Sequence, residues 1–233
     1  VQEAGFLEDL RSAIRVCRRH RWLPVVALVI GGMDGMAVIL EPLGLIAAIL
    51  WIPWAGIERL WYARAFTGGT LKGAEIPRLF LRLFGRFLRL LLLILVPFGS
   101  VILALALVSS DREERHLFWM GLVIVGAVFT FTLTFVFPAL TFSTTRARSA
   151  LRTGVGMIGS TWPASAPYAI VPALVPVPLT LMGALAPAGP WRVVLVLLGT
   201  ILELLFVGAT TLFFVRREMG LPIDGPRTSS EQD

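Results

Sequence analysis

The chain has one cysteine, Cys17, one lysine, Lys72, and two histidines, His20 and His116, in 233 residues. A single cysteine excludes an intrachain disulfide and any metal cluster built on several thiolates. Both histidines fall in polar or boundary segments, so no bis-histidine haem pair or chlorophyll ligand sits within an apolar run. HExxH, a Walker loop, GxSxG and paired metal-ligand spacings are all missing. No metal or cofactor is therefore expected, and the chain is not expected to be an enzyme. The glycine-rich GVGMIGS (154–160) lacks the preceding strand of a nucleotide fingerprint and reads as a close-packing or interfacial turn.

Charge is scarce as well. Only 15% of residues are charged, where soluble domains carry about a quarter. In its place stand 56% hydrophobic residues and a mean hydropathy of +0.80. The apolar residues fall into long runs, which points to one membrane-embedded, all-helical domain. The net charge of +6 could suggest a nucleic-acid partner. The arginines flank hydrophobic spans, however, and the tendency of basic residues to stay on the cytoplasmic side accounts for them; no nucleic acid is expected.

Residues 1–21 read as an amphipathic interfacial helix, with Leu7, Leu10, Ile14 and Cys17 at helical spacing on one face and arginines on the others. No small-residue cleavage site follows the first apolar run, so a cleaved leader is not expected within this sequence. Six spans are expected over residues 22–217, at about 22–40, 43–58, 90–108, 117–142, 164–186 and 191–215. Glu41-Pro42 divides the first two, for which a re-entrant pair is the competing reading. Basic segments (Arg18, Arg19 and Arg21; Arg59 and Arg64; Arg146, Arg148 and Arg152; Arg216 and Arg217) alternate with short, nearly neutral connections such as DREERH (111–116). This parity places both termini in the cytoplasm of a bacterial inner-membrane protein, with 218–233 a polar cytoplasmic tail. Span 5 carries Pro167, Pro172, Pro176 and Pro178 and is expected to be kinked or unwound.

Arg78, Arg82, Arg86 and Arg89 share a helical face ahead of span 3, beside a stripe of Phe80, Phe84 and Phe87. They are candidates for anionic lipid headgroups or an acidic partner. Two acids lie deep in apolar runs, Asp34 in GGMDGM and Glu203 in GTILELLFVG. An ionised carboxylate at such depth must be paired, protonated or facing a wet cavity. Each is thus either a cation or proton site or an interhelical anchor, with Thr130, Thr132 and Thr134 as further intramembrane polar candidates. Gly31 and Gly35 flank Asp34 in a small-xxx-small pattern that suits close helix contact. Because the arginines cluster at span boundaries, none is expected to pair with either acid, and Glu58-Arg59 is expected to be solvated at the inner interface.

The amphipathic entry helix, ARAFTGGTLKGAEIPRLFLRLFGRFLRLLLL and FPALTFSTTRARSALRTGVGMIGSTWP together resemble a broad group of bacterial polytopic membrane proteins. That group includes the membrane domain found beside glycerophosphodiester phosphodiesterases. No phosphodiesterase domain accompanies the stretch, so the resemblance implies a scaffold or accessory role and no activity. The leading expectation is a non-enzymatic subunit or accessory component that packs against other membrane proteins, itself or lipids. The alternative is a small transporter or channel-like protein using Asp34 and Glu203.

Overall fold

The structure, a computed structural model, describes residues 5–36, 40–108, 115–185 and 189–220. Every regular element in it is helical. In chain order these are α1 (Phe6–Arg19), α2 (Trp22–Met36), α3 (Glu41–Phe66), α4 (Ile76–Val108), α5 (Arg115–Leu133), α6 (Val136–Pro138), α7 (Ala147–Ser160), α8 (Ala166–Leu174), α9 (Pro176–Leu185) and α10 (Pro190–Met219). A π-helical turn, Ala139–Ser143, continues α6.

Among the described residues, three helices are long and apolar enough to cross a membrane: Pro42–Phe66, Gly73–Leu105 and Pro190–Met219. A fourth span results if Met120–Leu133 and Val136–Ser143, bent by 43°, count as one. The bend has a local cause. Pro138 cannot donate to the carbonyl of Thr134 and its ring crowds that carbonyl. The Thr134 hydroxyl meanwhile bonds back to Thr130 O at 2.7 Å, a contact that bends helices.

The remaining apolar helices are short. α2 has 15 residues; at 1.5 Å of rise per residue this is roughly 22 Å, less than the ~30 Å hydrocarbon core. The proline-rich run breaks at Val175, between α8 and α9, as its composition requires. Glu41 and Pro42 begin α3, a helix separate from α2.

Two boundaries differ from the sequence reading. α4 runs 33 residues without interruption, so the arginine-bearing segment and span 3 form one helix, which Pro97 does not break. α3 continues eight residues past 58 to Phe66, because Glu58 and Arg59 neutralise each other and need not end the helix at water.

α1 also turns a different face to the protein. Its buried residues are Asp9, Ala13 and Val16, while Leu7 is 66% exposed. Close approach to α10 decides this: a Cβ on Gly208 would lie 2.7 Å from Ala13 Cβ, so only a small-residue face fits. The larger Leu7 side is left outward. Glu8 and Asp9 in the first turn and Arg18 and Arg19 in the last suit the helix dipole.

Glycine sets two more contacts. Gly31 and Gly35 face Thr200 and Val196 of α10, the close helix approach their spacing implies. Gly154 lies within the helix α7 and not in a turn, and a Cβ there would meet the Val136 backbone at 2.5 Å. The densest packing surrounds the C-terminal half of α10, buried from Phe206 to Val215. Tyr168 and Phe135 lie against Phe213 there, with ring centroids 4.4 and 5.5 Å away.

Candidate functional site

Helical periodicity aims carboxylates from three helices at one space. On α2, Ala27, Ile30, Gly31 and Asp34 share a face; on α3, Ala47, Trp51, Trp54 and Glu58; on α10, Val196, Thr200 and Glu203. These faces enclose a cavity of about 460 Å³, inside the size range of small-molecule sites. Asp34 and Glu203, separate candidates in the sequence, thus line one wall system, and Glu58 joins them.

A second cavity of about 690 Å³ opens between α4, α5, α8, α9 and α10. Trp51, Ile52, Leu91 and Glu203 line both. Glu203 therefore sits deep in the bundle and yet presents accessible surface, because what it shows faces the two cavities. Thr130 and Thr134 line the larger cavity. Thr132 lines neither; its hydroxyl is spent on Val128 O at 2.7 Å.

The expectation that Glu58 and Arg59 are solvated is overturned: they are 7% and 6% exposed. Arg59 Nη1 donates to Glu58 Oε1 at 2.9 Å and to Ala55 O. The guanidinium lies 5.1 Å from the centre of the Phe137 ring. Each charge needs the other once α4 and the α6 region cover this face of α3. Arg59 Nε is buried with no hydrogen-bond partner. The positive charge of Arg59 also acts on Glu203, and that of Arg192 on Asp34. Two arginines nevertheless stand nearer these acids than the boundary clusters do: Arg59 on α3, and Arg192 on α10, one turn before Val196.

Glu203 takes no hydrogen bond or salt bridge among the described residues. With both carboxylates ionised, Glu58, Glu203 and Arg59 form a group of net charge −1 along the two cavities. Such a group favours a proton or the positive end of a ligand. Among the described residues, no three histidines, cysteines or acids are close enough to hold a metal ion.

Nearer the α1 end stand two further polar contacts. Tyr62 Oη donates to Leu204 O and lies 3.0 Å from Cys17 Sγ. Asp9, 1% exposed, accepts from Tyr168 Oη and Arg216 Nη2, both at 2.5 Å. Burial pushes the Asp9 carboxyl up from its ordinary range, against the opposing pull of Arg216 and Tyr168. Sequence reasoning passed over all of these. The one available signal was position: Asp9 shares its face with Ala13 and Val16, and Glu58 shares its face with Trp51 and Trp54.

Arg78, Arg82 and Arg89 are exposed along α4, and Arg86 is half-buried. Phe80 and Phe84 stack beside them at 6.3 Å, whereas Phe87 turns into the core. None of the four arginines lines either cavity. No family model, curated protein or solved structure matches the chain.

Proposed function

We propose that the chain is a non-enzymatic, transporter-like protein of the bacterial inner membrane, holding the positive charge of a solute at Glu203 inside the bundle. The carrying observation is the convergence of Asp34, Glu58 and Glu203 on one cavity, with a single salt-bridged guanidinium beside two of the three. The broken segment α8–α9 lines the larger cavity, which shares Glu203, and is the kind of element around which transporters rearrange. The proposed topology has six crossings and cytoplasmic termini, with α2, the bent α5–α6 pair and α8–α9 supplying the three beyond the long helices α3, α4 and α10.

Solute-driven proton flux in proteoliposomes with trapped pyranine tests this, using potassium, tetramethylammonium and choline against protein-free vesicles. A flux abolished by Glu203→Gln and reduced by Asp34→Asn is expected. No flux above the empty vesicles, or a Glu203→Gln variant equal to wild type, overturns the reading.

A second reading, the accessory subunit that the resemblance implies, has one observation of its own. Only 11% of the α4 apolar window is buried, against 44% in α3 and α10. Lipid or a partner helix covers that face. A native pull-down that returns the chain alone removes the support for a partner.

A further inference from the structure

The larger cavity pairs opposite charges at one end with an apolar length at the other. Glu203 and Arg59 both line it, with Thr130 and Thr134 close by in the lining. Apart from Thr210, the rest is apolar or glycine, mostly leucine, phenylalanine, valine and proline, chiefly from α4, α5, α8, α9 and α10. Arg59 is 6% exposed, and its Nε is a buried donor without an acceptor. Leaving such a donor unmet is costly, and more so for a charged group. Glu203 is the opposite case, a carboxylate without a donor. One end of the cavity thus asks for an acceptor and a cation together.

We propose that this cavity binds a single zwitterionic amphiphile, a phosphoethanolamine-type lipid. Its phosphate accepts from Arg59, its ammonium meets Glu203, and its chain lies along α4 and α5. A purely anionic lipid would set its charge against Glu203 and Glu58. A simple lipophilic cation would leave Arg59 Nε unmet. At about 690 Å³ the space is large enough for a headgroup and part of an acyl chain, within the range of ligand sites. Leu92, Leu95 and Val96 of α4 are exposed beside it, so the chain can enter sideways from the bilayer. The exposed arginines of α4 have no part in this site. The inference rests on the proposed function only in taking Glu203 as the seat of a positive charge.

Native mass spectrometry of the protein in dodecyl maltoside, titrated with three amphiphiles of matched chain length, tests it. These are lysophosphatidylethanolamine, lysophosphatidylglycerol and dodecyltrimethylammonium. One zwitterionic lipid retained per chain is expected, at least about tenfold tighter than either of the others. Glu203→Gln should erase the preference over lysophosphatidylglycerol. Leu95→Trp, at an exposed position on the cavity wall, should weaken all three without unfolding the chain. Arg59→Lys keeps the charge but lacks Nε, and should erase the preference over dodecyltrimethylammonium. Equal or tighter retention of the anionic or the cationic probe overturns the inference, as does retention indifferent to Leu95→Trp. If tetramethylammonium still drives a Glu203-dependent flux while no lipid is retained, the cavity reading stands and the lipid assignment falls.

Discussion

Tyr168 on α8 and Asp9 on α1, 159 positions apart, share a buried hydrogen bond of 2.5 Å that Arg216 of α10 completes from the other carboxylate oxygen. Three helices are tied at one carboxylate. The entry helix is therefore part of the packed protein as well as a surface element, and its docking depends on the state of one acid.

That dependence has a sign. Burial leads the causes that hold Asp9 above its ordinary 3.8. An acid whose folded pKa is raised binds its proton more tightly when folded. Its contribution is fullest below 3.8 and declines as pH rises through the folded value. The melting temperature of wild type should thus fall relative to that of the non-titrating Asp9→Asn variant from pH 4 towards pH 7. A relative rise over that range contradicts the burial argument.

How much of this was legible in the sequence depends on which force decided each feature. The long spans, the proline break and the Gly31–Gly35 contact follow from length, backbone chemistry and residue size, all local properties. Asp34 and Glu203 stood out because an acid in an apolar run is costly anywhere. Glu58 and Arg59 did not, because adjacency to a span end suggested water. Only the covering by α4 and Phe137, a long-range fact, buries them. On α1 the period was right and the inward face wrong: Ala13 faces inward because Gly208, nearly two hundred positions away, leaves no space for leucine.

The Glu58–Arg59 pair should behave as a unit. Removing one partner from a buried pair costs about 3–5 kcal/mol, whereas replacing both by apolar groups is often neutral. Arg59→Met alone should lower thermal stability in detergent markedly. The double variant Glu58→Leu/Arg59→Met should recover most of that loss. Additive losses would show that the pair is solvated after all.

Gly208 and Gly85 offer a matched comparison within helices. A Cβ at Gly208 would stand 2.6 Å from Tyr62 and 2.7 Å from Ala13, while one at Gly85 meets nothing within 4 Å. Gly208→Ala should destabilise by about 1–3 kcal/mol through overpacking. Gly85→Ala should stabilise by roughly 0.5–1 kcal/mol through the backbone entropy that glycine forfeits in a helix. Opposite shifts in melting temperature are the expected result, and equal shifts would contradict the close α1–α3–α10 crossing.

The crossing of α2 and α3 is open to a labelling test. In a Cys17→Ser background, single cysteines at Glu41, Pro42, Leu43 and Gly44 should react with a membrane-impermeant maleimide from outside intact cells. The Arg59–Arg64 end should label only after permeabilisation. Labelling of both ends from the same side would replace the six-span hairpin by a re-entrant pair.

Cys17 gives a chemical readout of the α1–α3 contact. Only the thiolate is nucleophilic, and burial pushes this thiol above its ordinary 9.0. Its alkylation at pH 7.5 should be slower than that of an exposed cysteine, such as one placed at Ser149, and its rate profile should lie to the alkaline side. Tyr62 opposes that rise from 3.0 Å: its one proton, given to Leu204 O beside the neutral thiol, turns to the sulfur once the thiolate forms. Tyr62→Phe removes this donor and should move the profile further up while α1 stays docked. If α1 instead detaches, the thiol becomes exposed and the rate rises towards that of the Ser149→Cys control. The direction of the change therefore reports whether Tyr62 tunes the thiol or holds the helix.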